Sequence, residues 1–116
     1  MAHDDQLAER IRALLADVSD VDERRMFGGL AFMIGGHMAV AANSRGGLLV
    51  RVDPEASAAL VGSTPARPMV MQGRSMTGWL ELDADDVRTA RQLTPWVRRA
   101  RAHVATLPPK AAAKKR

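Results

Sequence analysis

Met26-Phe27-Gly28-Gly29-Leu30-Ala31-Phe32-Met33-Ile34-Gly35-Gly36-His37-Met38-Ala39-Val40-Ala41-Ala42-Asn43-Ser44 is a run of 19 residues without a formal charge, close to the length that spans a bilayer. Its content argues against a span. Gly28-Gly29, Gly35-Gly36, His37, Asn43 and Ser44 interrupt it, and a Gly-Gly pair between two apolar runs is a hairpin signal. The stretch reads as buried strands: Arg24 to Phe27 continuing to Ile34, then His37 to Ala42. A third run, Leu48 to Val52, follows Asn43-Ser44-Arg45-Gly46-Gly47. Glycine reaches positive φ without steric cost, and connectors this short imply an antiparallel meander.

Helical patterning surrounds these strands. Upstream, Leu7, Ile11, Leu14, Leu15 and Val18 recur at helical spacing over about Asp4 to Val18. Asp4 or Asp5 can cap that helix, and Asp20, Asp22 and Glu23 read as an acidic connector. Downstream, Asp53-Pro54-Glu55 has the chemistry of an N-cap, first helical position and acidic first turn, opening a short helix through Leu60 that ends near Gly62. Pro68 to Gln72 and Thr77 to Leu82 are strand candidates, with Gly73 and Gly78 marking turns or a bulge. The last helix is expected to start near Asp83 to Asp86 and run to about Leu107, interrupted at Thr94-Pro95. Leu93, Trp96, Val97, Ala100, Val104 and Leu107 fall on one arc of it, with Arg88, Arg91, Arg98 and Arg99 opposite. The implied fold is α+β: an antiparallel sheet of about five strands with helices packed on it, in the order α-β-β-β-α-β-β-α.

A chain of 116 residues, 47% hydrophobic, buries about two-thirds of its unfolded surface, enough for one core. Residues 1–108 are expected to form a single domain and 109–116 a disordered basic tail. The absence of cysteine excludes a disulfide framework, a thiolate metal site and a cysteine nucleophile. With no basic n-region ahead of an apolar stretch at the start, the expected location is the cytoplasm.

The net charge of +4 conceals a gradient. Residues 1–23 hold seven acids and two arginines, residues 24–86 six of each, and residues 87–116 nine basic residues and no acid. Such asymmetry suggests a polyanion partner; the acidic and basic ends lying against each other would explain it equally. The candidate nucleic-acid-binding residues are Arg88, Arg91, Arg98, Arg99, Lys110, Lys114, Lys115 and Arg116. Four tail charges, each meeting a phosphate, give a log–log salt slope of only about −3.6, which is weak and indifferent to sequence. With two Phe, two Trp and no Tyr, there is no row of aromatics on which bases could stack.

Motifs for catalysis are missing. Gly73-Arg74-Ser75-Met76-Thr77-Gly78 lacks the Gly-Lys-Ser/Thr of a phosphate loop, and has Thr77 where a nucleophile elbow needs glycine. Ser75 would need a base, yet His3, His37 and His103 stand apart from one another and from metal-ligand spacing. No dinucleotide fingerprint occurs. The seven methionines read as core filling more readily than as an adaptable binding surface. The expectation is a non-enzymatic protein with no cofactor and no bound metal.

Arg25-Met26-Phe27-Gly28-Gly29 behind an amphipathic first helix, the glycine-turned run Leu30 to Ala42, Leu48-Leu49-Val50-Arg51-Val52-Asp53, Ala66-Arg67-Pro68-Met69 before Met76-Thr77-Gly78-Trp79-Leu80, and Trp96 in the last helix together resemble the TfoX/Sxy family, specifically its N-terminal domain. The resemblance covers about residues 3–108. It implies an α+β fold of the type III secretion chaperone-like kind and a link to the regulation of competence, in which longer members act as transcriptional co-regulators. Those members carry a second, helical domain; here a stand-alone domain is expected. No catalytic residue is carried over. The glycines of the Arg25–Gly29 segment suit a bend or bulge and its Met and Phe suit a core; Arg25 suits either a functional surface or a salt bridge to the acidic connector. The reading that results is a regulatory or protein-interaction domain with an unidentified protein partner, a homodimer among the arrangements open to it, and direct nucleic-acid binding as the alternative.

Overall fold

The computed structural model describes residues 5–26, 29–43, 46–71 and 73–107. Helix α1 (Asp5–Leu14) is followed by four strands, β1 (Val21–Met26), β2 (Gly29–Ile34), β3 (His37–Ala42) and β4 (Leu48–Arg51). Helix α2 (Pro54–Ser63) leads to β5 (Arg67–Met71) and β6 (Arg74–Leu82), and a 3-10 turn at Ala84–Asp86 precedes helix α3 (Ala90–Val104). The six strands form one antiparallel sheet in the order β1-β2-β3-β4-β6-β5. The expected α+β architecture and element order hold, with one strand more than anticipated before α2.

The additional strand comes from the run read as one piece from Arg24 to Ile34. β1 starts at Val21 and folds back on β2, pairing Met26 with Gly29 and Val21 with Ile34. The supposed acidic connector is thus largely strand. Its sequence hides this, because Asp22, Glu23, Arg24 and Arg25 are all exposed and leave no apolar alternation. β1 is an edge strand, where charge on both faces costs little and blocks pairing with other chains. The β2–β3 hairpin turns on Gly35 and Gly36, both at positive φ (59° and 87°), as the favoured two-residue hairpin turn requires.

Period-two alternation gives the sheet two unlike faces. On one, Phe32, Val40, Val50 and Leu80 stand side by side across β2, β3, β4 and β6, all fully buried. Leu7 and Ile11 of α1, Leu15 in the turn after it, and Leu93, Trp96, Val97, Ala100 and Val104 of α3 close over them. Each fully buried Val, Leu, Ile or Phe among them contributes roughly 1.5–3 kcal/mol by leaving water. α3 lies over β3 and β4, α1 beside α3, and α2 over β6 and the edge strand β5. On the opposite face the next row is Ala31, Ala41, Leu49 and Glu81. Met38 and edge-strand Met69 join it in a second, smaller cluster, bordered by Met33 and Trp79.

Both later helices start where side chains satisfy their first amides. Asp53 accepts from the Glu55 amide at 2.9 Å with Pro54 in the first turn, as the sequence anticipates. α3 starts later than expected. Thr89 is its N-cap, forming a reciprocal capping box with Gln92 (3.1 and 3.0 Å), and the helix then runs unbroken through Pro95. The interruption falls at Arg88-Thr89, not at Thr94-Pro95. Pro95, in the second turn, removes one amide donor and crowds the Arg91 carbonyl without ending the helix, whereas the capping box satisfies two groups at the helix start. No described helix is long and apolar enough to cross a membrane.

Candidate functional site

The arginines expected on one face of the last helix do not share one environment. Arg88 lies outside α3, ahead of its cap, and approaches Asp85 at 3.6 Å. Arg91 and Arg98, two helical turns apart, face outward and are exposed; neither has an ion-pair partner among the described residues. Arg99 turns to the flank and stacks over Trp96, its guanidinium carbon 4.6 Å from the ring centroid. Lys110, Lys114, Lys115 and Arg116 fall outside the described residues.

One arginine that pattern reading did not single out has the largest structural role. Arg101, on the flank of α3 facing α1, donates to the Leu14 carbonyl at 3.1 Å and to both Asp17 oxygens at 3.1 and 3.0 Å. It therefore closes the C-terminal end of α1, where carbonyls lack partners, and forms a two-pronged carboxylate pair. That hydrogen bonding holds the Asp17 carboxyl below its usual range. A second link joins α1 to the sheet: Arg12 donates to Glu23 of β1 at 2.6 and 2.8 Å, and this contact raises the Arg12 pKa above its ordinary value. The acidic start and basic end of the chain thus do meet, through Arg101 and Asp17. The signal available in the sequence is the position of Arg101, about 90° from the centre of the apolar arc, opposite in charge to the segment around Asp17.

The motif residues occupy separate strands. Arg25 is exposed on β1 and has no ion pair among the described residues; its neighbour Arg24 holds Asp22, at 3.1 Å. Met26 ends β1, and Phe27 and Gly28 lie outside the described residues. Gly29 opens β2 so close to β3 that a Cβ there would collide with the Ala42 carbonyl oxygen. Met76, Gly78 and Trp79 are on β6. Gly78, at φ 86°, accepts from the Val52 amide at 2.8 Å and faces the Val52 carbonyl and the Pro54 ring. Trp79 is half-buried on the helix-free face under Arg51, its direct cross-strand partner, at 5.1 Å. β3 and β4 separate β2 from β6, so the two halves of the motif do not form one site by strand pairing.

Ser75 lies on β6, His37 opens β3 and His103 sits in the last turn of α3; His3 is outside the described residues. Among the described residues, no three His, Cys, Asp or Glu side chains are grouped as a metal would need. A concavity of about 550 Å³ lies between α2 and α3, with Val52 at its floor.

The model of the TfoX N-terminal domain family matches residues 13–104, from the last two residues of α1 to the last residue of α3. The chain belongs to the TfoX N-terminal domain family. No curated protein matches it.

Proposed function

We propose that this TfoX N-terminal domain is a non-enzymatic regulatory domain that works by contact with another protein, in the transcriptional or competence regulation that its family suggests. The family match across residues 13–104 carries the reading. The uses to which the chemistry-bearing side chains are put support it: Asp53, Thr89 and Gln92 cap helices, and Arg12, Arg101, Asp17 and Glu23 tie elements together. Arg91 and Arg98 on the outer face of α3 supply a cationic surface suited to an acidic protein partner. The same two side chains, among nine basic residues and no acid after residue 86, favour nucleic acid as the second reading.

The test compares the wild-type chain with Arg91→Glu/Arg98→Glu. A protein captured from a native cell extract by the first and lost by the second is the expected result, alongside light scattering to establish whether the chain self-associates. A labelled duplex titrated at two salt concentrations separates the readings: binding that weakens steeply with salt and disappears in the double variant transfers the role to nucleic acid. Small-molecule turnover abolished by a single substitution would overturn the proposal.

A further inference from the structure

α2 packs unlike the other helices. It has no fully buried residue; Leu60 and Val61 only border the core. Its standing off leaves the groove of about 550 Å³ against α3, within the size range of small-molecule sites. Val52, Ala56 and Leu60 supply an apolar floor and wall, and α3 supplies Arg99, Ala102 and His103. The one carboxylate at the groove, Asp53, has an oxygen committed to the Glu55 amide.

Arg99 gives the groove polarity. Stacking over Trp96 fixes the guanidinium plane and leaves its edge N–H groups available, the geometry in which arginine takes a carboxylate with two parallel hydrogen bonds. Arg99 has no ion-pair partner among the described residues, so this cation is held in place by an aromatic ring rather than by an acid. His103, one turn further along on the same flank, adds a second polar group beside it.

From this combination we infer that the α2–α3 groove is a binding site for a small amphiphilic carboxylate, its aliphatic body against Val52, Ala56 and Leu60 and its head on Arg99. A single cation suits a singly charged head, and an apolar floor suits a chain rather than a sugar or nucleotide. The site does not depend on the regulatory reading: it stands or falls on binding alone, while partner capture tests the other.

The experiment uses the full chain, isotope-labelled, titrated with octanoate and separately with 1-octanol, which keeps the chain and lacks the charge. Saturable amide shifts confined to Val52–Leu60 and Arg99–Thr106 are expected for octanoate, with a Kd of about 1 mM, as ligand efficiency allows for so small a molecule. Octanol is expected to bind about tenfold more weakly, and Arg99→Gln to reduce octanoate binding to the octanol level. Ala56→Phe fills the groove and is expected to abolish both, with an unchanged unfolding midpoint showing that the fold survives. Equal octanoate affinity in wild type and Arg99→Gln, shifts centred elsewhere, or no saturation would each overturn the inference.

Discussion

The two faces of the sheet are built from neighbouring residues of the same strands, yet they pack by different means. Phe32, Val40, Val50 and Leu80 form a row of bulky side chains under α1 and α3, while the adjacent row is Ala31, Ala41, Leu49 and Glu81 with no helix over it. Ala31 and Ala41 are nonetheless buried (0% and 3% exposed). Met69 of the edge strand joins the same cluster, so on this side strand residues cover one another without a helix. Bulky side chains are covered by helices; small ones are covered by neighbouring strands. The buried members of the second cluster are 0–9% exposed, close to the burial reached under the helices.

Truncating one residue on each face puts this contrast to its most severe test. Phe32→Ala is expected to cost about 3–5 kcal/mol, because its neighbours are held by two layers and cannot collapse into the cavity. Met69→Ala is expected at the low end for such truncations, about 2 kcal/mol, since an edge strand and flexible methionines can readjust. Urea unfolding measures both. Equal losses would show that the helix-free cluster is as tightly packed as the main core.

Pairing within the sheet also depends on backbone approach, which two glycines separate from general sensitivity to substitution. Gly29→Ala places a Cβ against the Ala42 carbonyl and must push β2 from β3, an expected loss of about 3 kcal/mol at the upper end of overpacking costs. Gly62→Ala has open space around it inside α2. It is expected to gain about 0.4–1 kcal/mol by restricting the unfolded chain and favouring helix. A neutral Gly29→Ala would mean that the β2–β3 approach is not what fixes the sheet's shape.

How much of this is legible in the sequence follows from where the information resides. The glycine-turned meander, the Asp53-Pro54 helix start and the buried arc of α3 all rest on local periodicity and turn chemistry, and the structure has them. β1 escapes pattern reading because an edge strand of Asp22, Glu23, Arg24 and Arg25 carries no alternation. The start of α3 differs from expectation because Pro95 is the more conspicuous signal, while the Thr89–Gln92 capping box is the one that governs. At the candidate site, the arginines can be counted from sequence but their partners cannot. Arg88 leaving the helix, Arg99 lying on Trp96 and Arg101 reaching Asp17 from 84 positions away depend on tertiary placement. The groove between α2 and α3 leaves no mark on local pattern.

The Arg101–Asp17 clamp acts on the helical face alone, and pH can isolate it. Hydrogen bonding to Arg101 lowers the Asp17 pKa in the folded chain, whereas in the unfolded chain it should lie near 3.9, roughly the ordinary aspartate value. The clamp's contribution is therefore fully present above the unfolded value and is lost as pH falls through the folded one. Asp17→Asn should be less stable than wild type at neutral pH, and the difference should shrink below about pH 4 as the wild-type carboxyl also becomes neutral. Arg101→Gln should keep part of its deficit in acid, because the bond to the Leu14 carbonyl does not titrate. The Asp17 side chain is 72% exposed, so the effect is expected to be the smallest of these and to weaken with added salt. Thermal unfolding of the three proteins across this range decides it. An Asp17→Asn deficit equally large in acid and at neutrality would mean that α1 is held to α3 by packing, and that the charge pair only records their proximity.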